Sequence, residues 1–355
     1  MKRTSHLLRG ALASTLLLAT LPASAQTFFG SGSTDNSGAV NSSNVGLGFQ
    51  VLFSSPTGSG NTAIGYQSLY FNTTGSFNSA NGYQSLYSNT TGYSNSANGS
   101  WALHFNTTGG YNTANGDTAL AYNTTGSYNT ANGYQSLLSN TTGVANTANG
   151  SGSLISNTTG GDNTANGYQS LYYNTTGNYN AVNGSYALNN NTIGSQNTAN
   201  GFSSLYSNTK GNQNTANGSF ALYYNWGGNY NTADGNNALY NNTTGNYNTA
   251  SGFIALYSNT TGSYNVASGY NALKANTTAV NNVALGVQSL FKNATGSNNV
   301  AVGYNSLYQN RGKGNIGIGY SAGYNLTTGS NNIAIGSLAT ATDNGAIRIG
   351  TARFA

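Results

Sequence analysis

The chain of 355 residues has no cysteine, no glutamate and only two prolines, and charged side chains make up 4% of it. Without cysteine, neither disulfides nor thiolate metal sites are available, so the stability of an exported chain must come from elsewhere. Without glutamate, and with five aspartates spread far apart, no paired carboxylates stand ready for general acid/base work. Beyond residue 6 the only histidine is His104, so a Ser-His-Asp set or a histidine metal cluster lacks its members. His104 occupies a column usually filled by tyrosine and reads as a variant surface residue. The sequence therefore reads as non-enzymatic, with no cofactor and no metal.

Residues 1–25 read as a signal peptide. Lys2, Arg3 and Arg9 are followed by an apolar run from Ala11 to Leu21 and by Pro22-Ala23-Ser24-Ala25, with cleavage before Gln26. The run is too short for a membrane span of ~20 residues, and no later stretch supplies a transmembrane anchor. Removing three of the ten cations leaves seven against five aspartates, a net charge of +2. No Lys or Arg falls between Gln26 and Lys210, so the clustered cations of a nucleic-acid groove are missing. The expected location is secreted or on the outer surface of a Gram-negative-type bacterium.

What is present is repetition. After a polar segment at 26–43, a 17-residue unit runs from 44 to 331 in seventeen copies, and 332–355 holds a partial copy and a tail. The unit is typified by Asn-Thr-Ala-Asn-Gly-Tyr-Gln-Ser-Leu-Tyr-Ser-Asn-Thr-Thr-Gly-Ser-Tyr, numbered here as positions one to seventeen. Position one is always Asn (Asn61, Asn78, Asn95) and position five always Gly (Gly65, Gly82, Gly99, Gly116). Leu holds position nine (Leu69, Leu86, Leu103, Leu120, Leu137), failing only at Gly323. Two glycines and several Asn, Thr and Ser per unit oppose a helix, and the strict register opposes the disorder that such a composition otherwise suggests. The expected fold is all-β: a rod-shaped parallel β-solenoid of about 17 coils, each unit reading strand, turn, strand, turn. Leu, Asn and Tyr would stack in ladders at strand spacing. Position five and the Asn-Thr-Thr-Gly segment at twelve to fifteen are the expected sites of positive φ.

Positions two and four carry aliphatic pairs near the ends, such as Val45/Leu47, Val283/Leu285 and Ile333/Ile335, and Thr/Asn in the middle, as at Thr113/Asn115. Residues two apart share a strand face, so the aliphatic pairs are expected to point inward. The small residues at three and eight would then let sister chains approach closely.

Asn61-Thr-Ala-Ile-Gly65, Asn299-Val-Ala-Val-Gly303 and Asn332-Ile-Ala-Ile-Gly336 resemble the head repeats of trimeric autotransporter adhesins and bacterial haemagglutinins. Gly65-Tyr-Gln-Ser-Leu69 and Asn72-Thr-Thr-Gly75 resemble longer variants in surface proteins with tail-fibre-like ends, and Ala346-Ile-Arg-Ile-Gly-Thr351 looks like a junction to a chaperone domain. The resemblance implies a homotrimeric β-roll that attaches to host or matrix surfaces, glycan or protein. The adhesin heads have a shorter unit, and neither a heptad stalk nor a membrane barrel follows in this sequence.

The candidate binding residues are aromatic: Tyr83, Trp101, Tyr134, Tyr168 and Trp226, which would stack on sugar rings if exposed. Covering the coil or lining a trimer seam explains the tyrosines equally well. The rival classes are a passive scaffold, an amyloid-like matrix fibre built on Asn/Gln/Tyr ladders, and ice binding by threonine columns at two, thirteen and fourteen. Ice binding ranks last, because tyrosines interrupt the pattern and those columns are expected beside corners. The Asn-Thr-Thr triplets match glycosylation sequons, although turn formation accounts for them as well.

Overall fold

A computed structural model describes residues 30–34, 40–54 and 57–350. The signal peptide expected at residues 1–25 lies outside the described residues. The chain is an all-β parallel solenoid with a 17-residue step and, among the described residues, no helix. It divides into two compact units, one up to Tyr128 and one from Asn129.

In the first unit, β1 (Gly30–Thr34) runs antiparallel to β2 (Val40–Leu47). From β2 onward the strands are parallel: β3 (Thr62–Ile64), β4 (Ser79–Asn81), β5 (Ser96–Asn98) and β6 (Thr113–Asn115) each pair position for position with the strand before. In the second unit the same pattern runs from β7 (Thr130–Asn132) through β14 (Thr249–Ser251) and β16 (Val283–Leu285) to β19 (Ile333–Ile335) and β20 (Ile347–Ile349). Parallel pairing thus continues beyond residue 331, with Ile333 opposite Ile347.

Each coil contributes one three-residue strand, at positions two to four. The second expected strand does not form. Positions six to eleven instead alternate backbone sign: position seven has φ of 51–60° wherever it is not glycine, and the position-nine leucines lie at 49–53°. The segment still bonds to its neighbours. Gln84 N–H donates to the Tyr66 carbonyl of the preceding coil (2.8 Å), and Leu86 N–H donates to the Ala102 carbonyl of the next (3.0 Å). Leucine, unbranched at Cβ, adopts the left-handed region at a cost of ~1–2 kcal/mol, and bonds to coils on both sides offset it.

The interior differs from expectation in which strand residues it takes. Position three points inward: Ala63, Ala114, Ala165 and Ala216 are fully buried, as is Val182 in the same column. Positions two and four point outward, and even the aliphatic end copies do so, Ile64 and Leu285 each being 39% exposed. The reason is room. At Gly317, a column-three residue, an added Cβ would already lie 2.7 Å from Ser306 Oγ and 2.8 Å from Leu307 Cγ. A methyl, or at Val182 an isopropyl group, fills the space that the leucine column leaves, and the Ile and Leu side chains of columns two and four face out. Since columns three and eight are buried inside the coil, they cannot form a seam with sister chains.

The Asn columns at one and twelve are buried, and their amides are engaged apart from the Oδ1 atoms of Asn276 and Asn293. Asn163 Oδ1 accepts from the backbone N–H and side-chain amide of Asn180 (both 3.0 Å). Asn174 Nδ2 donates to Asn157 Oδ1 (2.8 Å), one coil back. The two columns meet at position fifteen, where the Gly160 carbonyl accepts Asn146 Nδ2 (2.8 Å) and Asn157 Nδ2 (2.9 Å).

Glycine at fifteen is required by this meeting and not by its φ. None of the Asn-Thr-Thr-Gly residues carries the expected positive φ, which falls instead at five, seven, nine and seventeen. A Cβ at Gly160 would lie 2.5 Å from Asn157 Oδ1 and 2.5 Å from the Gly177 carbonyl oxygen. Ala279 is a natural test, because it occupies this column. Its own Asn276 bond lengthens to 3.2 Å, and Asn276 Oδ1 is left buried without a partner. A ladder bond lost with its acceptor buried costs about 1–3 kcal/mol. Gly160→Ala should lower stability by about that amount, and Ala279→Gly should raise it by restoring the missing rung. Denaturant unfolding midpoints of the two variants check both signs.

Candidate functional site

The aromatic columns follow from the repeat. With like positions one strand spacing apart, rings in one column lie over each other. In column ten, Tyr206, Tyr223, Tyr240 and Tyr257 stack at 5.1–5.2 Å between centroids with planes within 10°. In column seventeen, Tyr230, Tyr247 and Tyr264 stack at 4.7 and 5.0 Å, within 6° of parallel. Burial pushes the Tyr223 and Tyr240 hydroxyls above their ordinary 10, so they remain neutral at physiological pH.

This geometry removes most of the proposed sugar-stacking surface. A ring sandwiched between neighbours presents only its edge to solvent, whereas stacking on a sugar needs the face. Free faces survive where a column is interrupted, and four of the five candidates stand at such interruptions. Tyr83 ends a run: it stacks on Tyr66 at 5.2 Å, and its column continues with Ser100. Tyr134 is 54% exposed and meets no other ring among the described residues. Tyr168 has Ser151 and Ser185 as column neighbours and touches only the edge of Tyr186, at 5.3 Å and 84°.

Trp226 sits in column thirteen in place of threonine, 55% exposed, with no ring contact among the described residues. Its backbone is held in register by Thr209, whose hydroxyl donates to the Trp226 carbonyl (2.7 Å). The next residue, Gly227, makes room for the stem of Lys210, whose Cε would lie 3.2 Å from an added Cβ. The fifth candidate, Trp101, is half-buried and lies face-on to His104 at 4.2 Å.

His104 is not a surface residue. It is 5% exposed, held between Trp101 and Tyr87, the latter at 5.0 Å and 4°. Its Nδ1 is 3.1 Å from the Gln84 carbonyl, which can only accept, so Nδ1 carries the proton. Asn189, in the same column, makes the equivalent bond to the Gln169 carbonyl (2.8 Å). The ring fills an aromatic stack and bonds to backbone, with no carboxylate or nucleophile among the contacts described.

The Asn-Thr-Thr sequons are also placed. Asn89, Asn106, Asn157 and Asn174 are fully buried, with their amides committed to the ladder. An oligosaccharide on any of these nitrogens is incompatible with the folded coil. The structural ladder residues Leu69, Leu86, Leu103, Leu120 and Leu137 are fully buried. Gly65, Gly82 and Gly99 have φ of 125–146° and abut the next coil's glycine carbonyl, at 2.3–2.5 Å from an added Cβ. Gly116 shares the positive φ, at 142°. Among the described residues no group of three or more His, Cys, Asp or Glu converges, and no helix is long and apolar enough to cross a membrane.

No protein-family model and no curated protein matches the chain.

Burial holds the His104 pKa below its ordinary 6.5, only partly opposed by the bond to Gln84. The unfolded chain therefore binds this proton more readily than the folded one. The contribution of the neutral ring is fully present above about pH 6.5 and is lost as pH falls below it toward the folded-state value. Denaturant midpoints at about pH 7.5 and pH 5 should show the loss in the parent chain. The His104→Asn variant, which adopts the chemistry of Asn189, should not show it.

Proposed function

We propose that this is an exported, non-enzymatic attachment protein of the bacterial surface, in which the solenoid acts as a weakly charged carrier for discrete aromatic contact points. The observation that carries this reading is the pair of isolated rings, Tyr134 and Trp226, each more than half exposed and without an aromatic neighbour among the described residues. Free aromatic faces beside amide and hydroxyl columns suit sugar rings, which pair an apolar C–H face with polar edges. The low charge supports recognition by stacking and hydrogen bonding in preference to ion pairing. The head repeats that the sequence resembles point to the same use, on a host or matrix glycan.

Immobilised bacterial and host glycans should retain the purified chain. Tyr134→Ala and Trp226→Ala should each weaken retention about tenfold or more, the size of an aromatic anchor lost from a contact. Retention unaffected by both variants removes these rings from the reading. Retention by no glycan leaves the passive scaffold.

Self-association into a homotrimer is part of the same proposal. With columns three and eight inside the coil, the surface that suits it is the outward aliphatic pairs of β16 to β19, where Leu285, Ile318 and Ile335 are 37–41% exposed. Light scattering on the purified chain should give three times the chain mass, and Leu285→Asn with Ile318→Asn should reduce it to one. A parent chain that is monomeric at every concentration rejects the trimer.

A further inference from the structure

We propose that the outward strand face of the second unit, from β7 to β14, binds ice. This goes beyond the attachment reading and uses different residues.

The face is a two-dimensional grid. Thr130, Thr147 and Thr164 are consecutive register partners in column two, as are Asn132, Asn149 and Asn166 in column four. The columns continue through Thr198/Asn200 and Thr215/Asn217 to Thr232/Asp234 and Thr249/Ser251, with Ala181 as the one gap in the hydroxyl column. In-register parallel strands repeat at about 4.8 Å along the axis, and residues two apart on a strand are separated by about 6.6 Å. Position three is buried throughout, so columns two and four alone form this face.

Both columns are fixed before any ligand arrives. Each Asn amide donates to the next Asn Oδ1, from Asn132 through Asn149, Asn166, Asn183 and Asn200 to Asn217, at 2.7–2.9 Å. That leaves one N–H and a carbonyl lone pair on each of Asn149, Asn166, Asn183 and Asn200 for water. Threonine is stiff at χ1, and the column-two hydroxyls make no hydrogen bond among the described residues. Column thirteen contrasts with this. Its hydroxyls are spent between coils, as Thr158 Oγ1 donates to the Thr175 carbonyl (3.0 Å). Of the three threonine columns, the second lies on strands and not beside a corner, and it keeps its hydroxyls free.

A preorganised array that repeats in two directions suits a partner that is itself periodic in two directions, and a flexible glycan or peptide gains nothing from such a repeat. A crystalline polysaccharide is also periodic, but its flat chains are gripped by aromatic faces, and positions two to four from β7 to β14 hold no aromatic residue. Methyl, hydroxyl and amide groups at these spacings instead order a water layer that merges with a plane of the ice lattice. Asp234 is the only charge in the grid.

Purified full chain should show thermal hysteresis that rises with concentration, and should facet ice crystals under a cold-stage microscope. Thr164→Tyr with Thr215→Tyr puts two bulky outward side chains in the middle of the grid and leaves the interior unchanged. This variant should lose the hysteresis and keep the parent unfolding midpoint. Trp226→Ala should keep the hysteresis in full, which separates this face from the attachment residues. Round crystals and no hysteresis with folded parent chain overturn the proposal, as does hysteresis that survives the double variant. Retention on microcrystalline cellulose without any effect on ice also overturns it. Glycan retention can succeed or fail independently of all three.

Discussion

The structure depends on a carbonyl oxygen that accepts two buried amides. At position fifteen of most coils the glycine C=O takes one hydrogen bond from the Asn at position one and another from the Asn at position twelve, as the Gly177 carbonyl does with Asn163 and Asn174 (2.8 and 3.0 Å). The two contacts tie the opening strand to the closing turn within one coil. The remaining amide atoms tie that coil to the next. Buried amides are costly unless paired, and here the pairing is what closes the coil. A core this narrow cannot be held by apolar contact alone, since it offers one leucine and one or two methyl groups per coil, so the polar columns are as structural as the leucine.

The same constraint accounts for the backbone. A segment that must present every N–H and C=O along the axis, and also turn within a few residues, alternates between right- and left-handed conformations. Glycine would serve at positions seven and nine, as it does at Gly152. Leucine is kept at nine because its side chain is the apolar content of the coil, and the cost of left-handed leucine is offset by that burial, worth ~1.5–3 kcal/mol per side chain. Position seven carries Gln most often, but Ile254 and Thr118 occupy it at φ of 60° and 54°. These β-branched residues bear the largest strain in that column.

Much of this was legible in the sequence. The invariance of Asn at one and Gly at five, with Leu at nine, defined the coil, its step and its ladders. Two features were not. The alternation rule says that positions two and four share a face and that three takes the other, and it does not say which is inside. Apolarity favoured Val283 and Leu285 over Ala284, but volume decided for alanine, and volume depends on the width of the coil, which no single column reports. Positive φ was equally hidden. Glycine marks it at position five, but at fifteen glycine marks close approach of an amide, and at seven and nine ordinary residues carry it. His104 was misplaced outward because a column of tyrosines was taken as surface, when column ten lies half inside, and Trp101, in column seven, lays its face on that ring.

Repetition has a further consequence for where binding can reside. A column that repeats spends its side chains on its own neighbours: asparagine amides on the next asparagine, tyrosine faces on the next tyrosine, column-thirteen hydroxyls on the next coil. What remains available is of two kinds. One is the departure from the repeat, where a ring such as Trp226 or Tyr134 keeps its face because the coil above or below carries none. The other is the column whose groups are held in place without being used up, as the second threonine column is on the strands. Discrete contacts follow from the first kind and an extended, lattice-like contact from the second. The two differ in residue and in face, so a single solenoid accommodates both without compromise to the ladders inside it.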